Sequence, residues 1–183
     1  MKVIKTGFEN LLIIEPHVYN DSRGYFFESF NKSNFDINGL LAEFVQDNES
    51  YSEFGVIRGL HYQVEPYAQT KLVRVIKGRV LDVVVDIRKN SATFGKFFKI
   101  ELSSENKLQL YIPKGFAHGF SVLSKYAILA YKCDNVYNKS SERGININDP
   151  FLSIDWKVQK NIRIISEKDF GWPDFNHAEY FIS

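Results

Sequence analysis

Five stretches of this sequence carry side chains that could do chemistry. The densest runs Gly55-Val56-Ile57-Arg58-Gly59-Leu60-His61-Tyr62-Gln63, followed by Gln69-Thr70-Lys71. It packs a guanidinium, an imidazole and an ammonium among strand-forming residues. Imidazole is the side chain whose ordinary pKa lies nearest neutrality, so His61 is a candidate proton carrier. Strict alternation along a strand sets Arg58 and His61 on opposite faces, and a bulge at Gly59 would bring them together. The same stretch also reads as a solvated Arg58, a half-buried His61 satisfied by backbone and a surface Lys71.

The second stretch, Pro113-Lys114-Gly115-Phe116-Ala117-His118-Gly119-Phe120, suits a turn that delivers an imidazole to the mouth of a barrel. Its Pro-x-Gly-x-x-His pattern is similar to the second motif of cupin barrels, where the histidine is often a metal ligand. The first cupin motif offers a His-x-His pair; here it is His61-Tyr62-Gln63, with Lys71 ten residues after His61. An amide in place of the second imidazole, with an ammonium nearby, supplies a metal poorly, so a barrel without metal is expected. In Tyr131-Lys132-Cys133-Asp134-Asn135-Val136-Tyr137 the first tyrosine falls on a strand and the last in the loop beyond it. Two ordinary aromatics, one core and one rim, give the same pattern. Cys133 reads as a buried small hydrophobe rather than a nucleophile. Ser166-Glu167-Lys168-Asp169 is either a charged helix start or the source of a carboxylate that orients a distant histidine. Asp21-Ser22-Arg23-Gly24-Tyr25-Phe26-Phe27-Glu28 reads as a turn into an aromatic strand, with Arg23 a solvated residue or a phosphate clamp.

The elements that must position these groups are strands. Short β-branched and aromatic runs fall at 11–15, 25–30, 44–48, 56–63, 71–76, 80–87, 96–102, 107–112, 119–123 and 127–132. In the run 80–87, Leu81, Val83, Val85 and Ile87 share one face and Val80, Asp82, Val84 and Asp86 the other. Lys77-Gly78-Arg79 predicts a tight turn between two strands. A short helix is expected over 31–41 with Asn31 or Ser33 as its N-cap, and a second near Ser166 ahead of Pro173. Many short strands without long crossover helices predict an all-β antiparallel sandwich or barrel, not a parallel α/β sheet.

The chain of 183 residues is 44% apolar, 25% charged and 15% aromatic, without repeats or Pro/Gly-rich linkers, so one domain over 1–183 is expected. Its 23 basic and 22 acidic residues give net charge +1, which excludes a global field for nucleic acid or membrane. Any anion site is local. One cysteine excludes an intramolecular disulfide and a cysteine-rich zinc cage. With no apolar leader run after Met1, a cytoplasmic location is the expectation.

Eight strings in order together resemble the dTDP-4-dehydrorhamnose 3,5-epimerases of nucleotide-sugar synthesis. They are Asp21-x-Arg23-Gly24-x-Phe26-Phe27-Glu28, Phe44-Val45-Gln46-Asp47-Asn48, Arg58-Gly59-Leu60-His61-x-Gln63 and Gln69-x-Lys71-Leu72-Val73-Arg74. Asp82-Val83-x-Val85-Asp86-Ile87-Arg88, Pro113-x-Gly115-Phe116-Ala117-His118-Gly119-Phe120, Tyr131-Lys132 and Ser166-x-Lys168-Asp169 complete the set. The resemblance implies a cofactor-independent cupin-like jelly-roll enzyme with a few short helices, usually a homodimer. It implies dTDP-4-dehydro-6-deoxy-D-glucose as substrate and dTDP-4-dehydro-L-rhamnose as product. It makes His61 the general base, Asp169 its orienting partner and Tyr131 the general acid. Lys71 and His118 would stand near the sugar's ketone or hydroxyls, and Arg23 and Arg58 would hold the pyrophosphate. Glu28, Gln46, Asn48, Glu142 and Lys168 match substrate-binding positions, and Tyr137 would stack on thymine. Subunits of the family exchange N-terminal strand contacts, which would let Arg23 act across the dimer.

The residue types agree with that chemistry. A ketone at carbon 4 acidifies the protons on carbons 3 and 5 because the carbanion delocalises as an enolate. Removal calls for a base with a pKa near working pH, the enolate oxygen for a donor such as Lys71, and inversion for a proton donor on the other face. Rival readings are an enzyme that inverts carbon 3 alone, a sugar ketoisomerase on the same barrel, a non-catalytic cupin that binds a nucleotide sugar, and a metal-dependent cupin oxygenase. The segment 171–183 matches no motif and is expected either to pack on the barrel or dimer or to fray.

Overall fold

The computed structural model describes residues 1–182. Its first strands are β1 (Lys2–Lys5), β2 (Leu12–Glu15), β3 (Tyr19–Asp21) and β4 (Gly24–Phe26). A short helix, α1 (Lys32–Ile37), precedes β5 (Gln46–Glu53), β6 (Ile57–Gln63), β7 (Lys71–Lys77), β8 (Arg79–Asp86) and β9 (Phe97–Ser103). Then come β10 (Gln109–Ile112), β11 (Phe116–Val122), β12 (Tyr126–Cys133), β13 (Glu142–Gly144) and the single-turn helix α2 (Glu167–Phe170). One antiparallel sheet orders its strands β1-β2-β10-β7-β12-β5 and the other β13-β6-β11-β8-β9. The two sheets form the all-β, cupin-like jelly roll expected, and β3–β4 stands apart as a hairpin paired with no other strand among the described residues.

Three apolar clusters explain why the sheets stack. Between them lie Val73, Val75, Val80, Val84, Leu110, Phe116, Phe120 and Leu129. The outer face of the five-stranded sheet carries Leu81, Val83, Val85, Ile87 and Ala117, which the C-terminal segment covers with Ile145, Leu152, Trp156 and Phe175. Strand β8 is therefore buried on both faces, and its alternating pattern separates two cores rather than core from solvent. On the six-stranded sheet, Ile14, Leu72 and Tyr111 pack against Phe35 and Leu40 around α1.

The helix α1 is shorter than 31–41. Asn31, not Ser33, is the N-cap, its side chain accepting from the Asn34 N–H at 3.2 Å, and Asn38 and Gly39 close the far end. The run 25–30 is a strand only as far as Phe26. Residues of β1, β3 and β13 were not expected as strands; each is three or four residues long. The C-terminal tail packs on the sandwich: the Phe181 N–H donates to the Ile87 carbonyl at 3.0 Å, and the Tyr62 hydroxyl to the Glu179 carbonyl at 2.6 Å.

Candidate active site

Strand β6 delivers His61, and a bulge determines what stands beside it. His118 pairs with His61 and Phe120 with Arg58, so two steps on β11 answer three on β6. The extra residue puts Arg58 and His61 on one face, as the glycine at 59 predicts. Gly59 has φ +140° and lies so close to β11 that a Cβ there would stand 2.5 Å from the Gly119 α-carbon. Only a bare backbone fits at that crossing.

Paired residues project to the same side of a sheet, so His118 on β11 and Gly144 on β13 flank His61. Glu142 and Gln63 are likewise paired, on the same face. From the other sheet, register places Lys71 opposite Cys133, and Tyr131 opposite Asn48 and Val73. Gln46, Asn48, Lys71, Tyr131 and Cys133 thus share the inner face that looks across at His61. The two faces enclose a cavity of about 320 Å³ lined by these residues with Gln63, Gln69, Tyr137 and Glu142. A larger groove of about 1020 Å³, between the N-terminal strands and the segment after α1, brings no histidine to its walls.

The short helix α2 exists to place Asp169. Ser166 caps it, its hydroxyl accepting from the Asp169 N–H at 3.2 Å, and the buried carboxylate meets His61 Nε2 at 2.6 Å through Oδ1. Its second oxygen accepts from the Gly59 N–H at 3.4 Å. Burial pushes the Asp169 carboxyl up, but the His61 hydrogen bond and charge, with Gly59 and Ser166, outweigh it and hold the group below the usual carboxylate range. An ionised Asp169 on Nε2 leaves Nδ1 as the imidazole nitrogen available to a substrate proton.

On the facing sheet, Lys71 Nζ lies 6.0 Å from the Tyr131 ring centroid, and burial lowers its pKa against the pull of Cys133, Asp82 and Glu142. Burial, then Cys133 and Glu142, raise the Tyr131 phenol above its ordinary value, against the Arg58 charge, so it holds its proton at neutral pH. Cys133 is buried and its thiol is pushed up to about 11, as suits a packing residue. At the rim, Glu142 accepts from Lys168 Nζ at 2.5 Å and from the Tyr137 hydroxyl at 2.9 Å. Burial raises the Glu142 carboxyl, but those two bonds and the Lys168 charge bring it below its usual value. Arg58 is aimed by Ser52, whose Oγ accepts from its Nε at 3.0 Å.

Of the thirteen site residues expected, seven line the cavity and Asp169 stands directly behind one of them. His118 lies one strand further into the sheet, in mid-strand rather than on a turn, because the turn ends at Gly115 and β11 begins at Phe116. Its Nε2 meets both Asp82 oxygens at 3.0 Å. Lys168 and Arg58 stand at the rim through the contacts above. Arg23 and Glu28 are elsewhere: Arg23 pairs with Asp21 at 2.6 Å, and Glu28 accepts from Asn31 at 2.8 Å, both exposed and neither lining the cavity.

Three supporting residues were given no site role by the sequence reading. Asp82 could have been found, since an acid on the inward register of an apolar strand needs a buried partner. Gln63, standing where a second metal-binding imidazole is usual in cupins, instead holds the loop that carries Tyr137. Its Nε2 donates to the Val136 carbonyl at 3.1 Å and its Oε1 accepts from the Asn138 N–H at 2.6 Å. Trp172 packs T-shaped on His61 with ring centroids 6.3 Å apart, and nothing in its sequence context signals that contact. Among the described residues, no three His, Cys, Asp or Glu side chains converge as a metal site, and no helix is long and apolar enough to cross a membrane.

Comparison with known proteins agrees with this geometry. A family model described as dTDP-4-dehydrorhamnose 3,5-epimerase matches residues 5–177. The enzyme of that name from Shigella flexneri is 55% identical over 183 residues, covering 100% of both chains. The crystal structure of dTDP-4-dehydrorhamnose 3,5-epimerase from Elizabethkingia anophelis NUHP1 superposes with TM-score 0.91 at 54% identity, covering 96% of this chain and 97% of that one. A dTDP-6-deoxy-D-glucose-3,5-epimerase from Legionella pneumophila Philadelphia 1, in complex with dTDP-4-keto-L-rhamnose, superposes with TM-score 0.94 at 46% identity, covering 100% and 98%. With the matching model spanning nearly the whole chain, the chain belongs to the dTDP-4-dehydrorhamnose 3,5-epimerase family.

Proposed function

We propose that this isomerase inverts carbons 3 and 5 of dTDP-4-dehydro-6-deoxy-D-glucose through the side chains just described, giving dTDP-4-dehydro-L-rhamnose. One observation carries the assignment of roles: a carboxylate-held imidazole on one sheet faces a protonated phenol and an ammonium on the other, across one cavity. His61 Nδ1 takes the proton from the carbon next to the ketone, and Asp169 stabilises the imidazolium that forms. The electron pair moves onto the carbonyl oxygen, where Lys71 meets the growing negative charge. Tyr131 gives its proton to the opposite face of the same carbon, which inverts it. Because base and acid come from different sheets, removal and return fall on different faces. The imidazolium then returns its proton to solvent and the phenolate takes one up, which resets both groups for the same step at the second carbon, and no redox step is involved.

A cavity of about 320 Å³ suits the hexose. The pyrophosphate and nucleoside lie along the open rim, with Arg58 on the phosphates, Tyr137 against thymine, and Glu142, Lys168, Gln46 and Asn48 fixing the approach. Arg23 and Glu28 complete the site from the N-terminal hairpin of a second copy in a homodimer. Each chain is one domain, and the enzyme works in the cytoplasm without a cofactor.

Proton NMR of the protein with dTDP-4-dehydro-6-deoxyglucose in deuterated water tests this, run beside His61→Ala and Tyr131→Phe. Deuterium at both carbons, product with the L-rhamno configuration, and no exchange in His61→Ala are the expected results. Label at carbon 3 alone would reduce the activity to mono-epimerisation, and exchange persisting in His61→Ala would remove that residue from the base role.

A further inference from the structure

Across the β13–β6 ladder the neighbour of His61 is Gly144, a residue with no side chain to support it. That space is filled from a distant part of the chain. A Cβ built on Gly144 would stand 2.6 Å from three atoms of the Trp172 indole, so the indole lies flat on bare backbone where a cross-strand side chain would otherwise project. From there it meets the His61 ring at an interplanar angle of 68°. Its own placement is secured: the Asn146 N–H donates to the Pro173 carbonyl at 2.8 Å, and Asn146 Nδ2 to Asp174 at 2.9 Å. Lys168 Nζ stands 5.8 Å from the indole centroid. One short segment, 166–174, thus supplies the carboxylate at Nε2, the cation at the rim and the aromatic wall beside the ring.

We infer that Trp172 is a positioning residue for the His61 imidazole, acting as the cross-strand neighbour that Gly144 does not provide. Asp169 anchors a single nitrogen and leaves the ring free to swing about that bond. The indole removes that freedom and keeps Nδ1 aimed into the cavity. Trp172 touches no reacting atom; its contribution is the geometry of the base, where misplacement of about 1 Å costs on the order of a hundredfold in rate. Its Nε1–H is buried and meets no acceptor among the described residues. The inference rests on the reading of His61 as the base.

The test is steady-state kinetics of Trp172→Ala, Trp172→Phe, Gly144→Ala and the Gly144→Ala/Trp172→Ala pair, with His61→Asn as reference and thermal melts to establish folding. Trp172→Ala is expected to lower kcat tenfold or more with KM within about twofold, since the Lys168–Glu142 and Tyr137–Glu142 bonds at the rim remain. Trp172→Phe restores most of kcat, because it returns an aromatic wall and removes the orphan donor. Gly144→Ala displaces the indole and reproduces the loss in the otherwise unchanged protein, yet adds little once Trp172 is alanine. A folded Trp172→Ala with unchanged kcat, a change in KM alone, or independent multiplication of the Gly144 and Trp172 effects would overturn the inference while leaving an inactive His61→Asn, and so the base assignment, intact. Full turnover by His61→Asn would overturn both.

Discussion

At the scale of single residues, the site is built from side chains whose burial works against their ordinary charge states. Lys71 is the clearest case: burial lowers its pKa from 10.5, so the folded state holds that proton less tightly than the unfolded chain does. The sign follows directly. Below its folded-state value the ammonium costs stability, and the cost fades as pH rises toward 10.5. Lys71→Met is therefore expected to raise the urea midpoint at pH 7 while lowering kcat about a hundredfold, because the enolate loses its cation. Equal loss of stability and activity in that variant would contradict a catalytic placement. Asp169 behaves in the opposite sense. Its carboxyl lies below 3.8 in the folded protein, so its contribution is present at neutral pH and is lost as pH falls through the folded value. The stability gap between the unaltered protein and Asp169→Asn, read from denaturant curves, should be widest near pH 7 and close as pH drops below 3.8. A gap independent of pH would mean that Asp169 acts through shape alone.

At the scale of elements, the β6 bulge matters more than any one strand. Gly59→Ala puts a side chain on a φ of +140° and 2.5 Å from the Gly119 α-carbon, so β6 and β11 must part or the bulge must move. Either way Arg58 and His61 lose their common face. A destabilisation of about 2 kcal/mol or more is expected, with kcat falling further than the melt predicts; unchanged kcat in a folded variant would show that the bulge does not set the base. This element was legible beforehand, because a glycine between two chemically capable residues on a strand has few other uses. Runs with strong period-2 patterning, such as 80–87, were legible for the same reason. Strands β1, β3 and β13 were not, since three or four residues carry no periodicity and their pairing depends on partners distant in sequence. The helix over 31–41 was overextended because Asn38-Gly39 stops it before the apolar pattern does. Within the site, residue types and strings pointed to His61, Lys71 and Tyr131. The Trp172–Gly144 contact was invisible, being a fit between a bare backbone and a ring 28 residues away.

At the scale of the whole molecule, the proposed homodimer rests on the N-terminal hairpin. The hairpin β3–β4 presents Tyr19, Tyr25 and Phe26 at 60%, 57% and 65% exposure and pairs with no other strand among the described residues. Three large aromatics on one small hairpin are more apolar surface than an isolated loop needs, which favours burial against another chain. Among the described residues Arg23, at the tip of the same hairpin, pairs with the neighbouring Asp21 alone. If the hairpin reaches across a twofold axis, Arg23 serves the partner's cavity, and each site takes its base from one subunit and a phosphate ligand from the other. Complementation tests that arrangement. Arg23→Ala and His61→Ala proteins, each inactive or nearly so at low substrate, are unfolded together and refolded as a mixture. Random pairing makes half the dimers hybrid, and each hybrid has one site with both His61 and Arg23 intact. Activity should recover to about a quarter of that of the unaltered protein. If Arg23 instead acts within its own chain, every site in the hybrid lacks one of the two residues and the mixture stays as inactive as its components.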